Sequence, residues 1–134
     1  MAAPLIRTVP ALLQRAEDEF GDLEALVDGD VRWTFGQLAA EVRRCAAAMI
    51  ANGVSPGDRV SVWAPNGHRF VVAALGAVSA GAVLVPVSTR FKGEEAAWIL
   101  GKSGARLLLA TLIETKLDAA NLAGTIMPDG TTHQ

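Results

Sequence analysis

The stretch "FVVAALGAVSAGAVLVPVST", Phe70 to Thr89, carries no charge in twenty residues. That length is enough to cross a bilayer core, which takes about 20 apolar residues. The content points elsewhere. Gly76, Ser79, Gly81, Pro86 and Ser88 interrupt the run and alanine supplies much of the rest, so its insertion energy is weak. The pattern also changes partway along. Phe70 to Ala80 has helix-forming composition, Gly81 stands where a helix C-cap glycine belongs, and "VLVPV" is short and β-branched. The expectation is a helix, a glycine stop and a buried strand, with no transmembrane segment.

Local signals on either side extend this reading. "TVPALLQRAEDEFG" predicts a first helix, with Thr8 as N-cap, Pro10 in the first turn and Gly21 at the end. Leu12, Leu13, Ala16 and Phe20 are expected on one face. "EALVD" and "VRWTF" around Gly29–Asp30 predict a β-hairpin. Thr34 and Gln37 then have the spacing of a capping box, and Trp33 and Leu38 that of a hydrophobic staple. The helix they open is expected to bury Leu38, Val42, Ala46 and Met49, and Asn52–Gly53 closes it.

Beyond it the chain alternates: strand "DRVSVWA", helix Arg69–Ala80, strand "AVLVPV", helix "EEAAWILGK", strand "ARLLLAT". Such alternation with short connections predicts a parallel sheet with right-handed crossovers, covered on both faces. The fold class is therefore α/β: a parallel βαβαβ sheet with flanking helices, preceded by an N-terminal helix and hairpin. Residues 1–110 form this unit. Residues 111–134 read as a tail, with a last short helix at "ETKLDAANL" and a loose end at "AGTIMPDGTTHQ".

Composition narrows the partners. Twelve basic and fourteen acidic residues leave a net charge of −2, which gives no electrostatic footprint for nucleic acid. A hydrophobic fraction of 51% is high for so short a chain, and implies faces that expect a covering partner. Cys45 is the single cysteine, so neither a disulfide framework nor a thiolate metal cluster can form within the chain. It falls in a helical pattern as a small apolar residue. The start "MAAPLIRTVPALLQRAEDEF" shows no secretory or transit signal, and the cytoplasm is the expected location.

Chemistry is sparse. The turns "PNGHR" and "STRFKGEE" match neither G-x-G-x-x-G nor a G-x-x-x-x-G-K-[ST] loop. Lys92–Gly93 precedes a helix, where an anion can bind, but reads better as a surface loop. Arg90 falls at the C-terminal end of a parallel strand, where α/β ligands bind, and reads better as a structural loop residue. His68 and His133 are far apart and lack a nucleophile or carboxylate constellation, so each reads as an ordinary loop residue. No catalytic, cofactor-binding or metal-ligating residue is assigned.

The order of short motifs is nonetheless informative: "WTFGQL" (Trp33–Leu38), "GVSPGDRVSVWAPN" (Gly53–Asn66), "SAGAVLVPV" (Ser79–Val87), "STRF" (Ser88–Phe91) and "SGARLLLA" (Ser103–Ala110). Together they resemble the N-terminal part of the acyl-adenylate-forming enzymes of the AMP-binding superfamily, most closely the fatty-acyl-CoA synthetases. The resemblance covers about Thr8 to Ala110. Gln37 stands where that family commonly has Glu, Ser79 where Lys is frequent, and Ser88 where Asn or Asp is frequent.

The resemblance implies a parent reaction in two steps. A carboxylate attacks the α-phosphate of Mg-ATP to give an acyl-adenylate and pyrophosphate, and coenzyme A then takes the acyl group. The family's phosphate loop, its later acidic and aromatic motifs and its C-terminal lysine have no counterpart in this sequence. "DGTTHQ" echoes the phosphate loop without its following Pro-Lys-Gly. The expectation is thus an N-terminal fragment of a synthetase, truncated or frame-shifted after Ala110. It is inactive alone, holds no cofactor itself, and is open to completion by a second polypeptide. The alternative is a non-enzymatic binding module that docks a partner through an exposed apolar face.

Overall fold

The structure is a computed structural model that describes residues 5–111 and the backbone of 125–126 and 132–133. Helix α1 (Val9–Phe20) starts at Thr8, whose hydroxyl accepts from the Ala11 N–H at 3.2 Å. Strands β1 (Glu24–Asp28) and β2 (Val31–Thr34) form the expected antiparallel hairpin, with Asp28 opposite Val31 and a register shift between Glu24 and Leu26. Helix α2 (Phe35–Ala51) opens with a complete capping box. Gln37 N–H donates to the Thr34 hydroxyl at 3.1 Å, and Thr34 N–H donates to the Gln37 side-chain oxygen at 2.9 Å. Two orphan donors are satisfied reciprocally, which is why a β-strand can turn directly into a helix here.

The parallel unit comes next: β3 (Arg59–Trp63), α3 (His68–Ser79), β4 (Val83–Pro86), α4 (Gly93–Ser103) and β5 (Leu107–Ala110). β3 is central, with β4 parallel on one side and β5 parallel on the other. The expected α/β class and its βαβαβ order are therefore present. The sheet continues through two two-residue strands, β6 (Thr125–Ile126) parallel to β5 and β7 (Thr132–His133) antiparallel to β6. The stretch expected to be a loose end thus contributes described strands. The short helix expected at "ETKLDAANL" lies outside the described residues.

Successive strand residues face opposite sides, and the core splits accordingly. Val60, Val62, Leu107 and Leu109 pack in one cluster with Ala46 and Met49 of α2 and Ala77 of α3. Trp63, Leu108, Ala110 and Val87 pack in a second cluster with Ala96 of α4. So α3 and α4 cover opposite faces. The α2 stripe is buried as its spacing predicts: Leu38, Val42, Ala46 and Met49 are all core residues. The α1 stripe is not. Leu12 and Phe20 remain 54% and 45% exposed, and no α1 residue is buried, because α1 lies outside α2 and α3 as an outer layer.

The uncharged stretch resolves into α3, Gly81 and β4. No helix among the described residues is long and apolar enough to cross a membrane. Gly81 has φ +82°, and a Schellman pair closes the helix: Gly81 N–H to Val78 O at 3.1 Å and Ala82 N–H to Ala77 O at 3.0 Å. A Cβ there would also stand 3.3 Å from Pro56. One expectation fails in degree. β4 is the outermost described strand on its side rather than an interior one, so Val83 is 52% exposed.

That position explains a proline inside a strand. Val83 and Val87 N–H groups turn inward to Asp58 and Val62 carbonyls, at 2.8 and 2.9 Å. Pro86 therefore falls in the outward-facing set, where a missing N–H costs no bond within this sheet.

Candidate functional site

In open α/β sheets, ligands bind beyond the carboxyl ends of strands, where adjacent connections leave to opposite faces. Here that point lies between β3, which leads to α3, and β4, which leads to α4. Each connection ends at a helix N-terminus, whose free N–H groups and dipole suit an anion.

At α3 the position is taken by Asp28, from the end of β1. Its Oδ2 accepts from the His68 backbone N–H at 2.9 Å and lies 2.6 Å from His68 Nδ1. A Cβ on Gly67 would stand 2.9 Å from that oxygen, so glycine is what admits the carboxylate. The His68 backbone N–H, then its side chain, hold the Asp28 carboxyl below the ordinary aspartate range, against a smaller opposing effect of burial. The Trp33 ring meets the imidazole edge-on at 5.3 Å between centroids. His68 is thus the first residue of a helix with a carboxylate partner, not the loop residue the sequence suggests. The partner is forty residues away in the chain, beyond the reach of local pattern.

At α4 the occupant is Glu95. Its carboxylate accepts from the Lys92 N–H at 2.6 Å. Lys92–Gly93, expected to be a surface loop, is instead the exposed N-cap and first residue of α4, with the chain's own carboxylate on the Lys92 N–H. The loop before it is held by backbone: Trp63 Nε1–H donates to Ser88 O at 3.0 Å, and Arg90 N–H donates to the Ser88 hydroxyl at 3.2 Å. The Arg90 side chain is exposed. His133 lies in β7, at the far end of the strand order from β4, whereas His68 opens α3.

The opposite ends of the helices receive cations. Arg59 donates from Nε to Ser103 O at 2.8 Å and from Nη2 to Gly104 O at 3.4 Å, at the C-terminal end of α4. Arg106 donates to Gly53 O at 2.9 Å, just past α2. Both complement the negative end of a helix dipole. Cys45 is half-buried where α2 crosses α3, and a Cβ on Gly76 would lie 2.8 Å from its Sγ. Burial, then the nearby Glu41 charge, pushes its thiol up, so it is a packing residue held away from the thiolate.

Tested against Mg-ATP, the described residues do not fit. At each of the two helix N-termini of the ligand edge a carboxylate already accepts from one backbone N–H, and its negative charge opposes a phosphate there. No group of three or more His, Cys, Asp or Glu among the described residues could hold a metal ion. The described residues form no nucleophile–base arrangement.

Fold and site together define, among the described residues, a parallel α/β unit covered on both faces, with a carboxylate at each helix start of its ligand edge. The chain belongs to the AMP-binding enzyme family, whose model matches residues 13–132. The 3-[(3aS,4S,7aS)-7a-methyl-1,5-dioxo-octahydro-1H-inden-4-yl]propanoyl:CoA ligase of Rhodococcus jostii is 51% identical over 102 residues. The match covers 76% of this chain and 20% of that protein. The human mitochondrial medium-chain acyl-CoA ligase ACSF2 is 34% identical over 105 residues, covering 77% of this chain and 17% of that protein. Among solved structures, the N-terminal domain of FACL13 from Mycobacterium tuberculosis superposes with a TM-score of 0.81 at 29% identity. It covers 93% of this chain and 35% of that domain. The chain thus spans about a fifth of the length of the curated relatives it matches.

Proposed function

We propose that this chain is the N-terminal scaffold portion of an ATP-dependent carboxylic acid–CoA ligase, and that alone it does not catalyse acyl activation. The observation that carries this reading is the family match over residues 13–132 on a sheet whose ligand edge, among the described residues, offers no phosphate cradle. The scaffold's work is positional. It fixes the central strand, closes two helix N-termini against stray anions, and presents apolar surface to the polypeptide that completes the enzyme. ATP, Mg²⁺ and coenzyme A belong to that completed enzyme, with phosphate-binding and proton-handling groups supplied by later sequence. Its working compartment is then the cytoplasm, where ATP and coenzyme A are at hand, and its partner is a second polypeptide or a continuation of the chain.

ATP–pyrophosphate exchange tests this. The isolated chain should give none with Mg-ATP and any carboxylic acid. A fusion in which it replaces the matching segment of the Rhodococcus jostii ligase should exchange with that enzyme's own acid. Robust exchange by the isolated chain would overturn the inactivity. A folded fusion without exchange would overturn the scaffold role.

A further inference from the structure

The first buried residue among those described is Leu38; none of residues 5–37 is buried. α1 and the hairpin are therefore a layer without a core of its own. Leu13, Ala16, Ala25 and Leu26 are half-buried, while Leu12, Phe20, Leu23 and Val27 stay largely in water. The bonds that attach this layer to the rest are polar. Arg43 of α2 donates to the Glu17 carboxylate of α1 at 2.6 and 2.8 Å. Asp28 of β1 accepts from the His68 N–H of α3 at 2.9 Å, with the Trp33 ring against the imidazole. The Arg43 and Asp28 side chains are 54% and 41% exposed, so water and salt reach both contacts.

At the exit into α2 the attachment is backbone. Phe35 N–H donates to Leu23 O and Gly36 N–H to Gly21 O, each at 3.0 Å, beside the joint at Thr34. Beneath the layer, Leu38, Ala39 and Val42 are buried, yet they belong to neither of the two clusters that line the sheet. α2 contacts α1, both hairpin strands and α3. The outer layer, with α3, is thus what keeps these three residues from water.

We propose that α1 and the hairpin, residues 9–34, form a strap that opens as one unit about its joint with α2, uncovering Leu38, Ala39 and Val42 while the parallel sheet stays folded. Segments with few buried contacts open at the low end of a protein's range, and exposed ion pairs add little to hold them. Connection within the strap makes it move together. α1 passes into β1 through a short turn closed by Leu23 N–H on Phe20 O at 2.8 Å, and β1 pairs with β2 along its length. The strap is independent of the function proposed above, since it stands on the fold alone.

Residue-resolved amide hydrogen exchange of the full chain tests this. Amides of α1 and the hairpin should exchange through one shared opening, at least about tenfold more readily than those of β3 and β5. Arg43→Gln loosens the α1 fastening and Asp28→Asn the hairpin fastening. Each should speed exchange in both α1 and the hairpin, by about two- to fivefold, and leave β3 and β5 as they were. Acceleration confined to the element nearer the substitution would mean independent fraying and would overturn the proposal. So would exchange from α1, the hairpin, β3 and β5 at one common rate. Should either variant fail to fold, salt decides with the unaltered chain. Going from about 0.01 M to about 1 M shrinks the Debye length from about 30 Å to about 3 Å, and should speed α1 and the hairpin together. Exchange in the strap indifferent to salt would overturn the proposal.

Discussion

The two faces of the central sheet are finished to different depths. On one, Val60, Val62, Leu107 and Leu109 lie beneath α2 and α3, and those helices lie beneath α1 and the hairpin. That outer layer is fastened at two points: Arg43 of α2 grips Glu17 of α1 through two bonds of 2.6 and 2.8 Å, and Asp28 of the hairpin grips the start of α3. On the other face, α4 is the only helix among the described residues that covers Trp63, Leu108 and Ala110, and its outer side carries Trp98. The lesson is that burial alone does not mark a finished layer. Both outer sides keep apolar groups in water, Leu12 and Phe20 on α1 and Trp98 on α4, so what separates them is the second layer and its charged fastenings, not the polarity of the surface.

Substitutions should therefore cost very different amounts on the two sides. Met49→Ala empties a position only 1% exposed under the doubly covered face, and should cost about 2–5 kcal/mol. Urea unfolding followed by tryptophan fluorescence would show this. A loss below about 1 kcal/mol would mean that this face is no better packed than the other.

The fastening of the outer layer should show in acid. Because His68 holds the Asp28 carboxyl below its ordinary range, the folded chain binds that proton more weakly than the unfolded chain does. The contact's stabilisation is then fully present above the ordinary aspartate pKa, and is lost as pH falls through the lowered value. Asp28→Asn should lower the urea midpoint near neutrality and flatten its decline between about pH 5 and pH 2. An acid limb identical to that of the unaltered chain would remove Asp28 from this role. Trp98→Ala should do least, changing the isolated chain's stability by no more than about 0.5 kcal/mol. A larger loss would mean that the ring is already packed, and that the α4 side is finished after all.

How far the sequence discloses this molecule depends on distance along the chain. The hairpin, the Thr34–Gln37 capping box and the Gly81 stop are legible because each is decided within about four residues by donors, acceptors and φ. The βαβαβ order is legible from hydrophobic period. The side of the sheet each strand takes is not, so the edge position of β4 and the exposure of Val83 escape the sequence. The Asp28–His68 contact and the Arg59 and Arg106 helix caps escape it for the same reason, spanning 40, 44 and 53 residues. For α1 the apolar stripe gives the element but not its depth, since the helix is peripheral and none of its residues is buried. The candidate site follows this pattern. Lys92–Gly93 reads in the sequence as a surface loop, whereas the structure makes it the start of α4, with Glu95 on the Lys92 N–H.

Pro86 has a consequence for how such a sheet is made during synthesis. Of this sheet's strands the ribosome delivers β3 first, yet β3 ends inside the sheet, with β4 then laid to one side and β5 to the other. Once β4 is in place, its outward row offers a proline where a recruiting N–H would otherwise stand. Growth then proceeds from the β5 side, where β6 and β7 join. A nascent sheet with one margin discouraged and the other receptive has a direction.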